Sequence, residues 1–209
     1  MAAARTPVEP DDQVKRAVDI VVSGALLLVL APVIAIAAAA VAGERTGPVL
    51  FAQERIGLHG KPFRIHKFRS MHPSSGGPEV TTAGDARVTR VGALLRKTKL
   101  DELPQLFDVF VGKMSLVGPR PEVARYVELW PEAERELILS VRPGITDPAS
   151  VAFRNESEIL AQQPDPERYY REVLLPQKVA IYAEYVRNRS LLGDLRVLAA
   201  TAWAVVAQG

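Results

Sequence analysis

The segment Ile20–Ala42 reads IVVSGALLLVLAPVIAIAAAAVA and decides the fold class, because its 23 residues carry no charge. About 20 consecutive apolar residues are enough for a helix to cross the hydrocarbon core of a bilayer. A secretory signal peptide has a shorter apolar region, closer to the start of the chain. A buried helix of a soluble protein is the other alternative, but no polar face is visible. The segment therefore predicts a membrane-inserted helix.

Pro32 lies at the middle of this segment. Proline removes a backbone donor and kinks a helix, and the freed carbonyl groups need another partner. Two structures remain open from the residues alone. Either a kinked helix spans the bilayer, or the helix bends at Pro32, enters one leaflet and returns. Lys15 and Arg16 favour a cytoplasmic N-terminal flank, whereas the charges at the other end cancel and decide nothing.

The rest of the 209-residue chain has the composition of a globular domain. With 48% hydrophobic and 24% charged residues, the chain is neither disordered nor a protein with many membrane spans. The absence of cysteine excludes a disulfide scaffold, a thiolate metal site and a cysteine nucleophile. None of the three histidines has metalloprotease spacing. We divide the chain into a mobile leader (1–13), a membrane helix (14–43) and an interfacial or cytoplasmic domain (44–209).

Beyond the membrane segment, the sequence predicts short helices and one hairpin. The predicted strands are Val49–Arg55 and Phe63–Phe68, and the Pro/Gly/Ser/Thr-rich stretch His72–Gly84 predicts a mobile loop. The predicted helices cover residues 87–97, 101–111, 123–130, 131–141, 155–162, 168–189 and 191–207. The last helix, which contains Trp203, is either amphipathic and interfacial or an ordinary docking helix. The expected fold class is mostly α with a small β-hairpin.

Charge is divided unevenly along the chain. Residues 53–120 hold 12 Lys and Arg against 6 Asp and Glu, whereas residues 121–209 hold 10 against 13. A basic half beside a membrane segment predicts an anionic ligand, anionic lipid headgroups, or both. No nucleic-acid-binding module is recognisable, so nucleic acid is not expected as a partner.

Two adjacent acids are the main candidates for chemistry. Asp101 and Glu102 follow three cations in RKTKLDELPQ (96–105), at a predicted helix start. The helix dipole and the flanking cations favour the ionised forms. An ionised aspartate there either binds a divalent ion or attacks phosphorus as a nucleophile. Neighbours on a helix point in different directions, so the two acids should have separate roles. Simple capping of a solvated helix is the alternative.

Three cations are candidates for binding phosphate. Arg120 lies between two prolines, and an arginine held rigidly loses little entropy when its planar fork binds a phosphate. Lys67 and Arg69 lie at the end of the hairpin, where strand alternation predicts that they share a face. The alternative for Arg120 is a structural turn, and for Lys67 and Arg69 it is solvated charge.

Four stretches occur together and in order. They are KRAVDIVVSGALLLVLAPVIAI (15–36), FAQERIGLHGKPFRIHKFRSM (51–71), LLRKTKLDELPQLFDVFVGKMSLVGPRPE (94–122) and VRPGIT (141–146). Together they resemble the bacterial sugar transferases known as monotopic phosphoglycosyl transferases, in the minimal form without extra N-terminal transmembrane helices. The resemblance covers about residues 15–198, and LDELPQL and MSLVGPRPE are its most specific parts.

This resemblance implies an activity and a set of site residues. The family transfers a sugar-1-phosphate from a UDP-sugar to polyprenyl (undecaprenyl) phosphate, which yields a polyprenyl-diphosphate sugar and UMP as the first membrane step of polysaccharide biosynthesis. Asp101 would be the nucleophile, forming an aspartyl-phosphosugar intermediate in a ping-pong scheme, and Glu102 its acidic partner. Mg²⁺ would bind at Asp101. Arg96 and Arg120 match phosphate-contacting arginines, and Lys67 matches an active-site lysine.

The resemblance also implies a location. A re-entrant helix, broken at Pro32, would hold the chain among lipids at the cytoplasmic face of the bacterial inner membrane. The family often has serine before this proline, where this chain has Ala31. A homodimer is one option for the assembly. Two other functions remain: a membrane-anchored scaffold that binds polyprenyl phosphate without turnover, and a membrane-anchored UDP-sugar hydrolase. The sequence does not identify the sugar.

Overall fold

The apolar segment forms two helices with a sharp bend between them. In the computed structural model, which describes residues 10–73 and 80–206, helix α1 is Pro10–Val29 and helix α2 is Ala31–Gly43. Their axes are bent by 63°. Pro32 lies in the first turn of α2, where its missing N–H has no helical partner to lose. The bend therefore lies directly before the proline.

The bent pair exposes much of its apolar surface. No single helix among the described residues is long and apolar enough to cross a bilayer, but this pair meets the length and hydropathy criteria together. The side chains of Val21, Leu28, Val29 and Ile36 are 69–80% exposed. A core helix of a soluble protein buries such residues. The described surface therefore does not support the alternative of a buried core helix.

Helix α1 begins earlier than predicted. Residues 1–9 of the predicted leader lie outside the described part of the chain, whereas residues 10–13 form the first turn of α1. Proline is favoured in a first helical turn. The Asp12 carboxylate also pairs with Arg189 at 2.7 Å, which ties this turn to the C-terminal helices.

Further contacts hold α1 against the rest of the domain. The Lys15 ammonium pairs with Asp194 at 2.5 Å. Asp19, which is buried, accepts a hydrogen bond from the Leu116 N–H at 3.1 Å. The apolar helix is therefore integrated with the domain and is not an independent anchor.

Two small sheets support the rest of the chain. Strand β1 (Leu50–Ile56) pairs antiparallel with β2 (Pro62–Phe68), which confirms the predicted hairpin, and a 3₁₀ turn, Leu58–Gly60, joins the strands. Strand β3 (Ser115–Val117) pairs in parallel with β4 (Gly144–Thr146), a pairing that was not predicted. Strands of three residues carry too little alternation to be recognised in a sequence.

The remaining helices are short except for the last two, which have 14 and 16 residues. They are α3 (Arg90–Lys97), α4 (Gln105–Phe110), α5 (Ala124–Val127), α6 (Glu132–Leu139), α7 (Pro148–Ala152), α8 (Glu156–Ala161), α9 (Pro166–Tyr169), α10 (Leu175–Asn188) and α11 (Leu191–Val206). A π-helix, Tyr170–Leu174, joins α9 to α10 and interrupts the helix predicted over 168–189.

The predicted mobile loop is only partly described. Residues 74–79 lie outside the described part of the chain. On either side, the His72 N–H donates to the Arg87 carbonyl at 2.8 Å, and the Ala83 N–H donates to the Ser157 carbonyl at 2.9 Å. These bonds fix both flanks of the loop to the domain.

The buried side chains form three clusters. The largest joins α5, α6 and α10 and includes Trp130 and Tyr182. A second places α4 and β3 against α1, and a third joins α2 to β2 and α3 through Val41, Phe68 and Leu95. The third cluster matters most for the site, because it connects the bent helix pair with the segment that leads into Asp101.

Candidate active site

The acid pair follows Lys99, a residue with a left-handed backbone conformation. Lys99 has φ 58° and ψ 13°, and the 3₁₀ turn Leu100–Glu102 follows it at once. Residues other than glycine adopt this backbone conformation at a cost in energy. The sequence predicted a helix over 101–111, but the chain forms this 3₁₀ turn first and α4 afterwards. As a result, Asp101 is 7% exposed rather than solvated.

Glu102 binds two cations from distant parts of the chain. Its Oε1 accepts a hydrogen bond from the Lys67 ammonium at 2.6 Å and another from the Arg120 guanidinium at 2.8 Å. Lys67 comes from β2, and Arg120 from the loop after β3. The structure thus brings together three of the residues that the sequence singled out, and the cluster lies next to Asp101.

Electrostatics in this cluster follow from burial and pairing. Burial acts to raise the pKa of Glu102, but Arg120 and Lys67 outweigh it and hold that pKa well below its ordinary value. Burial lowers the pKa of Lys67, with Glu102 opposing the shift. The charge of Glu102 raises the pKa of Arg120 despite burial. Glu102 is therefore an ionised carboxylate that organises two cations.

Asp101 differs from its neighbour. Its Oδ1 is buried and has no hydrogen-bond partner among the described residues. Burial raises its pKa, the charge of Glu102 raises it further, and Lys67 and Arg96 act in the opposite direction. The expectation that dipole and cations favour the ionised form is thus outweighed by burial. The two adjacent acids therefore lie in different electrostatic surroundings.

A buried, unpartnered carboxylate oxygen is unfavourable unless something binds it. Among the described residues, no group of three or more acidic or histidine side chains is arranged to hold a metal. Mg²⁺, however, often binds to one or two protein carboxylates and takes its other ligands from substrate phosphates and water. The free Oδ1 of Asp101 fits that type of site.

The other two predicted cations differ in their contacts. Arg96, in the last turn of α3, has its guanidinium 3.6 Å from the Met71 sulfur, and its charge acts on Asp101. Arg69 instead donates to the Pro48 carbonyl at 2.8 Å and lies 5.9 Å from the centre of the Phe51 ring. Strand β2 ends at Phe68, so alternation does not carry Arg69 to the contacts that Lys67 makes.

Several contributing residues were missed by the sequence reasoning. Asp108 in α4 accepts hydrogen bonds from the His66 backbone N–H at 3.0 Å and interacts with its ring Nδ1 at 2.8 Å, which ties β2 to α4. Arg55 and Tyr170 bind the two carboxylate oxygens of Glu122, at the end of the predicted rigid loop. The only signal for Glu122 was its place in the motif MSLVGPRPE.

The chain matches the bacterial sugar transferase family over residues 10–208. It belongs to this family. One relative is a UDP-glucose:undecaprenyl-phosphate glucose-1-phosphate transferase from Caulobacter vibrioides. It is 39% identical over 90% of the chain and 67% of its own length. An exopolysaccharide production protein of Rhizobium leguminosarum bv. phaseoli is 35% identical over 93% of the chain and 96% of its own length.

A third relative carries a different sugar in its name. It is a UDP-N-acetylgalactosamine-undecaprenyl-phosphate N-acetylgalactosaminephosphotransferase from Aeromonas hydrophila, 41% identical over 66% of the chain. The aligned part of our chain covers only 34% of the length of that relative. Two relatives of similar identity therefore name different sugars, and overall identity does not select one for this chain.

Proposed function

We propose that this chain transfers a sugar-1-phosphate from a UDP-sugar to undecaprenyl phosphate and releases UMP. The observation that carries the proposal is the buried Oδ1 of Asp101, which has no hydrogen-bond partner among the described residues and lies beside the cluster of Lys67, Glu102 and Arg120. The names of the Caulobacter and Aeromonas relatives support both substrates. The name of the Rhizobium relative supports a role in polysaccharide assembly, which we propose is the first membrane step.

Asp101 would act as the nucleophile in two successive displacements. In the first, its carboxylate oxygen bonds to the phosphorus next to the sugar, the bond from that phosphorus to the bridging oxygen breaks, and UMP leaves. In the second, an oxygen of undecaprenyl phosphate attacks the same phosphorus and the bond to Asp101 breaks. Asp101 returns to a free carboxylate, so one group serves both substrates.

The cations would offset the repulsion between the attacking carboxylate and the substrate phosphates. Lys67 and Arg120 are held in place through Glu102, so little reorganisation is needed when charge moves during transfer. Arg96, which precedes Asp101 in the sequence, adds positive charge that acts on the Asp101 carboxylate. Bound Mg²⁺, held by Asp101 together with substrate phosphate oxygens, would supply further charge neutralisation.

We further propose that α1 and α2 form a re-entrant pair that places the domain at the cytoplasmic face of the bacterial inner membrane. The 63° bend and the exposed apolar side chains beside it support this arrangement. Helix α11 adds exposed Leu192, Leu195 and Trp203. A soluble donor and a lipid acceptor must meet one aspartate, which requires a site near headgroup depth.

Topology can be tested with single cysteines, because the chain has no natural cysteine. Cysteines placed before α1 and after α2 should both resist a membrane-impermeant maleimide in intact cells and react in inverted vesicles. Labelling of the N-terminal position from outside intact cells would contradict re-entrance and favour a span.

The activity can be tested by measuring UMP release across a panel of UDP-sugars, with undecaprenyl phosphate and Mg²⁺. We expect release with at least one sugar, and its loss in Asp101→Asn. Glu184→Gln, which changes an exposed acid on α10, is the control and should keep wild-type activity. An active Asp101→Asn would refute the mechanism. UMP release without lipid acceptor would indicate a hydrolase, and lipid binding without turnover on the whole panel would indicate a scaffold.

A further inference from the structure

The loop that carries Arg120 is attached firmly at its first end. The Gly118 N–H donates to the Thr146 carbonyl at 3.1 Å, and the Gly144 N–H donates to the Pro119 carbonyl at 3.0 Å. These bonds extend the β3–β4 pairing up to the residue before Arg120. A Cβ atom added to Gly144 would lie 2.1 Å from the Gly118 nitrogen, so the two backbones approach as closely as glycine allows.

The second end of the loop is attached to a different element, strand β1. The Ile56 N–H donates to the Glu122 carbonyl at 2.8 Å. The Arg55 guanidinium donates both to the Pro121 carbonyl and to the Glu122 carboxylate, each at 3.2 Å. Arg55 thus binds the main chain of Pro121 and the side chain of Glu122, the two residues that follow Arg120. The loop is a bridge, with Arg120 between its two supports.

Tyr170 attaches the same glutamate to a third part of the chain, the π-helix between α9 and α10. Its hydroxyl donates to the second carboxylate oxygen of Glu122 at 2.6 Å, and the tyrosine is 4% exposed. Burial, and then the charge of Glu122, raise the pKa of Tyr170, so the hydroxyl keeps the proton that it donates. The π-helix begins at this tyrosine. Such wide turns are rare and often mark functional positions.

The geometry connects this attachment with the acid pair. Arg55 lies on β1, and Lys67 lies on β2 of the same hairpin. The hairpin therefore supplies one cation to Glu102 directly and holds the loop that supplies the other. Both cations reach the same oxygen, Oε1 of Glu102. Movement of the loop relative to the hairpin would separate Arg120 from Lys67.

We propose that Arg55, Glu122 and Tyr170 form a clamp that fixes the distance between Lys67 and Arg120 around Glu102. They are positioning residues, since they act through Arg120 and not on substrate. The proposal rests on the proposed function, in which these two cations face the transferred phosphate. A buried ionic network is weak support for stability, because apolar side chains of the same volume often serve as well. Orienting Arg120 gives the network a reason beyond stability.

A double-mutant cycle tests whether Tyr170 acts through Arg120. We expect Tyr170→Phe to lower kcat/KM by about tenfold or more, because a hydrogen bond to a charged group is lost. In an Arg120→Ala background, the same change should cause no further loss, because the group that it positions is already absent. Tyr169→Phe, one residue earlier, is the control and should keep wild-type kcat/KM. An equal fold-loss from Tyr170→Phe in both backgrounds would overturn the clamp.

Hydrogen exchange gives a second measurement that does not depend on turnover. Positions 119 and 121 are prolines, so Gly118, Arg120 and Glu122 provide the amides of the loop. We expect Tyr170→Phe to speed exchange there while α3 exchanges at the wild-type rate; unchanged loop exchange overturns the proposal. If Tyr170→Phe does not fold, Glu122→Gln replaces it. If the wild type releases no UMP, the proposed function fails, and exchange alone still decides whether the clamp exists.

Discussion

Replacement of Glu102 by glutamine tests whether this carboxylate organises the site. Glutamine keeps the size of the side chain but removes the negative charge that Lys67 and Arg120 share at 2.6 and 2.8 Å. Two cations would then face each other with an amide between them. We expect both stability and activity to fall, and the two losses have different physical causes.

The size of the stability loss follows from burial. Removing one partner of a buried ion pair costs about 3–5 kcal/mol. The side chains of Lys67 and Arg120 are 19% and 31% exposed, so water relieves part of that cost and we expect about 3 kcal/mol. For a chain of this size, that corresponds to a fall of about 6–12 °C in the melting temperature.

Activity should change in both its plateau and its pH dependence. Misplacing a catalytic group by about 1 Å commonly costs about 100-fold in rate, and we expect a loss of that order in kcat/KM. The charge of Glu102 raises the pKa of Asp101, so its removal lets Asp101 stay ionised at lower pH. The acid limb of the kcat/KM profile should therefore move to lower pH.

Two measurements decide the matter: thermal unfolding and UMP release from pH 5 to 9, at one Mg²⁺ concentration. Glu184→Gln is the control for loss of one acid. If Glu102→Gln melts within about 1 °C of wild type and keeps its kcat/KM and pH profile, Glu102 does not organise the cations.

Three further predictions concern stability. Asp101 has a raised pKa in the folded protein, so its ionisation destabilises the fold as pH rises above the unfolded value of about 4. Asp101→Asn should therefore melt above wild type at pH 7 in metal-free buffer and match it below about pH 4; equal melting at both pH values would contradict this. Lys99 has a positive φ, so Lys99→Val should be about 1–3 kcal/mol less stable than Lys99→Gly in chemical denaturation, and equal stability would refute backbone strain there. Gly92→Ala would place its Cβ 2.1 Å from a backbone carbonyl oxygen and should cost at least about 1–3 kcal/mol, whereas Gly43→Ala, with open space around it, should be nearly neutral.

Local patterns predicted much of the fold. The hairpin and the positions of most helices follow from periodicity and turn residues, which act over a few neighbouring residues. The bend before Pro32 was predicted because proline does not fit in the middle of a continuous helix. The π-helix at Tyr170 and the β3–β4 pairing were missed, because each depends on contacts with distant segments.

Some features of the candidate site likewise follow from neighbouring residues in the sequence, whereas others depend on distant segments. The sequence by itself determined that Asp101 and Glu102 are adjacent, that cations flank them, and that an apolar, proline-broken segment lies upstream. The tertiary structure alone decided that Lys67 and Arg120 meet on one oxygen of Glu102, and that Oδ1 of Asp101 is buried with no hydrogen-bond partner in the part of the chain that the structure describes. Burial reversed the expected direction of the pKa shift at Asp101. The reason is that desolvation depends on which distant segments cover a group, and neighbouring residues in the sequence do not specify this.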